Sequence, residues 1–115
     1  MNDKQTASTP YRFIANLADL VNVIPQDSIV SQTLIKNSAV NTVLFAFDAG
    51  QALSEHTSTS TALIHILDGE ATVGLGEDQY DAKAGAWVYM EPRLAHSITA
   101  KTPLKMLLIM LPNKG

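Results

Sequence analysis

The stretch Thr61 to Leu75, TALIHILDGEATVGL, decides the fold. Two runs rich in apolar and β-branched residues, Thr61 to Leu67 and Glu70 to Leu75, are separated by Asp68-Gly69, the dipeptide that supplies positive φ in a type I′ hairpin. Side chains alternate across a strand, so Ala62, Ile64 and Ile66 share one face and Leu63, His65 and Leu67 the other. Both faces are apolar except for His65. The expectation is a strand covered on both sides that turns directly into the next one.

Similar runs lie on either side. Ser28 to Lys36 and Thr42 to Asp48 flank a turn at Asn37-Ser38. Gln79 to Lys83 and Ala86 to Met90 flank Ala84-Gly85, and His96 to Ala100 and Leu104 to Leu111 follow. Eight or so short strands, with no helical segment long enough to cross between parallel strands, predict an all-β antiparallel barrel or sandwich over residues 25–115. In the last run Leu104, Met106, Leu108 and Met110 oppose Leu107, Ile109 and Leu111. Strands apolar on both faces bury the outer face too, against another sheet or another chain, and this predicts a homodimer. Phe45, Phe47, Trp87 and Tyr89 read as core or pocket wall. Residues 1–24 form an N-terminal extension. Its first ten residues are a polar tail closed by Pro10. In residues 11–24 the apolar positions Phe13, Ile14, Leu17, Leu20, Val21 and Ile24 suit either a short helical turn or a strand lying over a sheet edge.

Composition removes whole classes of function. The chain has 115 residues, enough for one domain with its own core. It has no cysteine, so thiol nucleophiles, iron-sulfur clusters, zinc ribbons and disulfides are excluded, which fits a reducing cytoplasm. Acidic residues outnumber basic ones 11 to 8 and the basic ones are scattered, so no stripe invites nucleic acid. The opening MNDKQTASTP lacks the apolar core of a secretory signal, and Leu104 to Leu111 is far short of a membrane span. A soluble cytoplasmic protein with neither nucleic acid nor membrane as partner is expected.

Chemistry is left to few groups. Imidazole chemistry or transition-metal binding must draw on His56, His65 and His96, the only three histidines. Ser54-Glu55-His56 contains hydrolase residue types, but neighbours in a strand do not face one another and no G-x-S-x-G elbow exists. Gly74-Leu-Gly76 lacks the third glycine and the helix of a dinucleotide fingerprint.

Two stretches resemble the signature motifs of the cupin superfamily. The first family motif runs G, five residues, H-x-H, three or four residues, E, six residues, G. Gly50, His56 and Gly69 match it, while Ser58 stands at the second His position and Ala62 at the Glu position. The second runs G, five residues, P, with a His five residues further on. Gly85 and His96 match, Glu91 occupies the Pro position, and Pro92 comes one residue late. FAFDAGQALSEHTS, ALIHILDGEATVGLG, YMEPRLAHSI and KMLLIML extend the likeness over residues 26 to 111, toward small single-domain cupins. The resemblance implies a jelly-roll, double-stranded β-helix barrel, often dimeric, with a divalent metal such as Fe, Mn, Ni or Zn in its mouth held by three His and one Glu. His56 and His96 are the two metal ligands it carries over. Ser58, Ala62, Ile64, Tyr89 and Glu91 are its pocket candidates. Two readings follow: a barrel that binds a small molecule, with or without a weakly held ion, and an enzyme of the dioxygenase, isomerase or decarboxylase type acting on a small carbonyl or ring compound. His65, of opposite parity, is expected on the outer face.

Overall fold

A computed structural model describes residues 10–112. Among them nine strands run in order: β1 (Ile29–Lys36), β2 (Asn41–Phe47), β3 (Ala52–His56), β4 (Thr61–Asp68), β5 (Glu70–Leu75), β6 (Asp78–Lys83), β7 (Trp87–Met90), β8 (His96–Ala100) and β9 (Leu104–Leu111). They build two antiparallel sheets, β1-β2-β9-β4-β7 and β3-β8-β5-β6. The expected jelly-roll barrel is the fold observed. No helix among the described residues is long and apolar enough to cross a membrane.

Alternation sorts each strand onto the core. Ala62, Ile64 and Ile66 of β4 point inward with Phe47, Leu104 and Met106, and across the barrel they meet Val73, Ile98 and Ala100. Ile64, Ile66, Phe47, Leu104 and Met106 are all 1% exposed or less. Burying each such side chain stabilises the fold by roughly 1.5–3 kcal/mol before chain entropy is set against it.

The reading of Asp68-Gly69 as a hairpin is corrected. β4 pairs with β7 and β9, whereas β5 pairs with β6 and β8, so the chain turns a corner from one sheet into the other. A type I′ turn needs positive φ at both central residues. Gly69 has a φ of 89°, and Asp68 is absent from the positive-φ residues. Glycine is required there because a Cβ would run into the carbonyl oxygen of Pro103. The tight hairpin lies at Gly76-Glu77, between the paired Leu75 and Asp78. There a φ of 62° at the first central residue alone gives the pattern of a type II′ turn. The Asn37-Ser38 turn is as expected, with Asn37 Oδ1 accepting from the N–H groups of Ala39 and Val40 at 2.8 and 2.9 Å.

Residues 10–24 form a strap on the outer face of the five-stranded sheet. Of its two expected forms the helical one is adopted, as a single 3-10 turn at Leu17–Leu20 capped by Asn16. The strap is fastened at two points, near its start and in its middle: the Arg12 guanidinium donates to the Leu34 carbonyl at 2.7 Å, and Lys105 Nζ donates to the Ala18 carbonyl at 2.8 Å. Beneath it the outward-facing Leu44 and Ala46 have no exposure. Part of the two-sided apolar pattern is therefore satisfied within the chain.

Of the two readings of Trp87 and Tyr89, pocket wall is the one met: they are 65% and 52% exposed and line a groove at the sheet edge, so neither is core. Their register explains it. Trp87 pairs with His65 and Tyr89 with Leu63, which sets them on the outer face, while Val88 and Met90 point inward.

Candidate functional site

The site starts from an irregularity in β3. Leu53 pairs with Ile98 and His56 pairs with His96, so Ser54 and Glu55 together oppose the single residue Ser97. Leu53 and His56 are three residues apart and would face opposite ways in a regular strand. The bulge resets the alternation, turns both inward and leaves Glu55 exposed. His56 thereby arrives directly opposite His96.

The two rings lie with centroids 4.2 Å apart, tilted by 56°. Each is oriented in the same way: His56 Nδ1 bonds the Ser54 carbonyl at 2.8 Å and His96 Nδ1 bonds the Leu94 carbonyl at 2.9 Å. A carbonyl oxygen can only accept, so each Nδ1 carries the proton and each Nε2 keeps its lone pair. The pair thus presents two like-oriented acceptors, one on an exposed ring and one on a ring only 8% exposed.

Their setting is one end of the barrel. Across the four-stranded sheet, His56, His96 and Leu75 form one row. At the same end of the other sheet, Asn41, Met110, Ala62 and Met90 form another. Backbone bonds lace the loops around this mouth: Arg93 N–H donates to the Ser58 carbonyl at 2.7 Å, and Gly76 N–H to the Ala95 carbonyl at 2.7 Å. Arg93 holds a φ of 70°, unusual for a residue other than glycine. Its bond to Ser58 fixes the 91–94 loop against the loop that follows β3.

The pocket candidates fall in different places. Ala62 and Ile64 face inward and are buried at 4% and 1% exposure, Ile64 deeper in the core. Ser58 is half-buried, and its hydroxyl accepts from Ser60 N–H at 3.1 Å. Glu91 is exposed at the start of the rim loop, and its carbonyl accepts from Leu94 N–H at 3.4 Å. Tyr89 is on the outer face, as described. His65 is exposed on that face too, away from the other two histidines.

The donor set decides what metal this mouth suits. Two imidazoles ligating one ion through nitrogens at about 2.1 Å put their ring centres roughly 4.5–5 Å apart. The observed 4.2 Å needs only a small adjustment, and carbonyl-bound Nδ1 groups are a common outer partner of metal-ligating histidines. The ligand count does not follow. No group of three or more His, Cys, Asp or Glu able to hold a metal occurs among the described residues. At the carboxylate position of the family motif Ala62 offers a methyl group. The residues present do not fit a tightly held resident metal.

Two features escape a reading of the sequence. Asn41 Oδ1 is a buried acceptor without a hydrogen-bond partner. Its inward parity with Val43, Phe45 and Phe47 was available in the sequence as a polar residue in an apolar series. The second is a groove of about 380 Å³ between the sheet edges β6 and β7, a volume typical of small-molecule sites. Val73, Ala82 and Val88 form its apolar floor, Tyr80, Trp87 and Tyr89 its aromatic walls, and Leu75 links it to the histidine row. No sequence pattern marks it, because β6 and β7, only three residues apart in the chain, are edge strands of two different sheets, and the groove depends on how those sheets pack.

Comparison with known proteins adds family and fold. A family model described as a cupin domain matches residues 43–110. No curated protein matches the chain. Among solved structures, a conserved protein of unknown function from Streptococcus pyogenes is 26% identical, with a TM-score of 0.82 over 91% of each chain. A cupin superfamily protein from Desulfitobacterium hafniense is 27% identical, with a TM-score of 0.81 over 90% of this chain and 94% of its own. A salicylate 1,2-dioxygenase from Pseudoaminobacter salicylatoxidans superposes with a TM-score of 0.68, covering 71% of this chain and 26% of its own. At 9% identity that likeness is one of fold alone.

Proposed function

This chain belongs to the cupin domain family, and from that premise we propose that it is a cytoplasmic small-molecule-binding barrel whose ligand meets the His56–His96 pair at the mouth. The observation that carries the reading is the matched orientation of the two rings. Both Nδ1 atoms are spent on backbone carbonyls, so both Nε2 lone pairs are free for a ligand's N–H or O–H donors. Asn41 Oδ1, at the same end of the barrel, is a third acceptor in want of a donor. The neighbouring groove gives an apolar or aromatic portion of the ligand somewhere to lie. With two protein ligands among the described residues, a divalent cation is held weakly and exchanges with solvent.

Metal-dependent catalysis is the second reading. What favours it is that the imidazoles are preset as metal ligands usually are. It needs a third ligand that the described residues do not supply.

Elemental analysis of protein purified without chelator, together with zinc titration of wild type, His56→Ala and His96→Ala, separates the two. The expected result is protein with well under one metal per chain and weak zinc binding that either substitution abolishes. A stoichiometric ion that survives dialysis would overturn the binding-barrel reading in favour of the enzyme.

A further inference from the structure

We propose that the open edge of β7 and the groove beside it receive an extended peptide segment of a partner protein, which joins the five-stranded sheet as a further strand. Four strands, β1, β3, β6 and β7, have a neighbour on one side only. An unpaired edge is a template for adhesion, and proteins guard it with bulges, charges or proline. β1 has a bulge between Thr33 and Ile35 and ends on Lys36, and its Leu34 carbonyl is already taken by Arg12. β3 has its own bulge and Glu55, and β6 carries Asp78, Asp81 and Lys83. β7 has none of these devices. Its register against β4 is unbroken, and WVYM is aromatic, β-branched and uncharged, which favours pairing.

The backbone of β7 is aimed for it. Ile66 N–H donates to the Ala86 carbonyl at 3.0 Å and Gly85 N–H donates to the Ile66 carbonyl at 2.8 Å. Ile64 and Ala62, in step with Ile66, therefore bond toward β7, and their partners Val88 and Met90 bond back. Trp87 and Tyr89 turn their N–H and C=O groups the other way, where no strand pairs with them. A segment laid there sets alternate side chains beside Trp87 and Tyr89, and the others over the floor of Val73, Ala82 and Val88. Charge then states its chemistry. The groove is closed at one end by residues 84–86, which join β6 to β7. At the end near the mouth, the turns at 76–78 and 91–95 hold Glu77, Asp78 and Glu91 against one cation, Arg93. The matching segment is apolar at alternate positions and basic at that end. The inference rests on the strand edges and holds whatever ligand the mouth takes.

Trp87 is the sole tryptophan and is exposed, so its emission reports occupancy of this edge. The probe is a synthetic peptide of alternating valine and threonine with two lysines at one end, titrated into wild type, Tyr89→Pro and the double variant Glu77→Lys/Glu91→Lys. Wild type is expected to bind it with a Kd on the order of 100 µM. An analogue methylated on its backbone nitrogens cannot donate to the Trp87 and Tyr89 carbonyls and should bind at least ~10-fold more weakly. Tyr89→Pro should weaken binding as much while unfolding cooperatively, because the N–H it removes is no part of the β4 ladder. At low salt the double variant should lose at least ~3-fold, a test that stands even where the proline variant does not fold. Binding that backbone methylation leaves unchanged would overturn the proposal, as would binding that charge reversal leaves unchanged. Wild type that refuses the peptide, whether because the edge stays empty or because a second copy already pairs with it, would overturn it too.

Discussion

Strands β3 and β4 follow one another in the chain and differ in nearly every respect. β4 lies between β9 and β7, keeps a regular register from Thr61 to Ile66 and buries Ala62, Ile64 and Ile66 almost completely. β3 is an edge strand of five residues, mostly exposed, and its alternation breaks before His56. The strand that holds the barrel together offers no reactive group to the interior, and the strand that offers one contributes little to holding it. Chemistry at an edge can change without loss of the core, because few buried contacts depend on it.

This contrast can be broken by mutation. Ile64→Ala removes buried methylenes from a site that close packing keeps from collapsing, and about 3–4 kcal/mol of stability should be lost in urea unfolding. A loss below 1 kcal/mol would mean that β4 is not the core strand described. Gly69→Ala tests the corner by which β4 passes into the other sheet. A left-handed φ and the Pro103 carbonyl both oppose a methyl group there, and about 2–3 kcal/mol should be lost. Deleting Glu55 is the converse experiment. It removes the bulge and leaves Leu53 and His56 two positions apart, both still facing inward opposite Ile98 and His96, so any zinc binding by the pair should persist while stability changes by less than about 1 kcal/mol. Lost binding would show that the pairing of His56 with His96 is not what aims the ring inward.

The same contrast explains what the sequence made legible. Eight of the nine strands among the described residues answered to short runs read in the sequence, and β4 and β9 were recognisable from apolar residues on both parities. β3 was not, because ALSEH is polar and its two outward residues in succession erase the period of two. His56 was located through the spacing of Gly50, His56 and Gly69, although the strand that carries it was not. The pairing of His56 with His96 required only that the barrel close. The turn at Asp68-Gly69 misled because the dipeptide reports a local φ, and whether the next strand returns beside the last or departs to another sheet is decided by packing far away. Trp87 and Tyr89 read equally as core or pocket wall, and only the register of β7 against β4, which sends them outward, decides for wall.

The order β1-β2-β9-β4-β7 also governs when the barrel can form. β9 lies between β2 and β4, so residues 104–111 join strands made some forty and sixty residues earlier on the ribosome. Until β9 emerges, β2 and β4 have no partner on that side, and Leu104 and Met106 are missing from the core around Phe47 and Ile64. Pairing over such separations is slow, on the order of milliseconds to seconds. The nascent chain therefore carries two open adhesive strand edges from the time β4 is made until residues 104–111 emerge, and a chaperone that shields them would act in that interval.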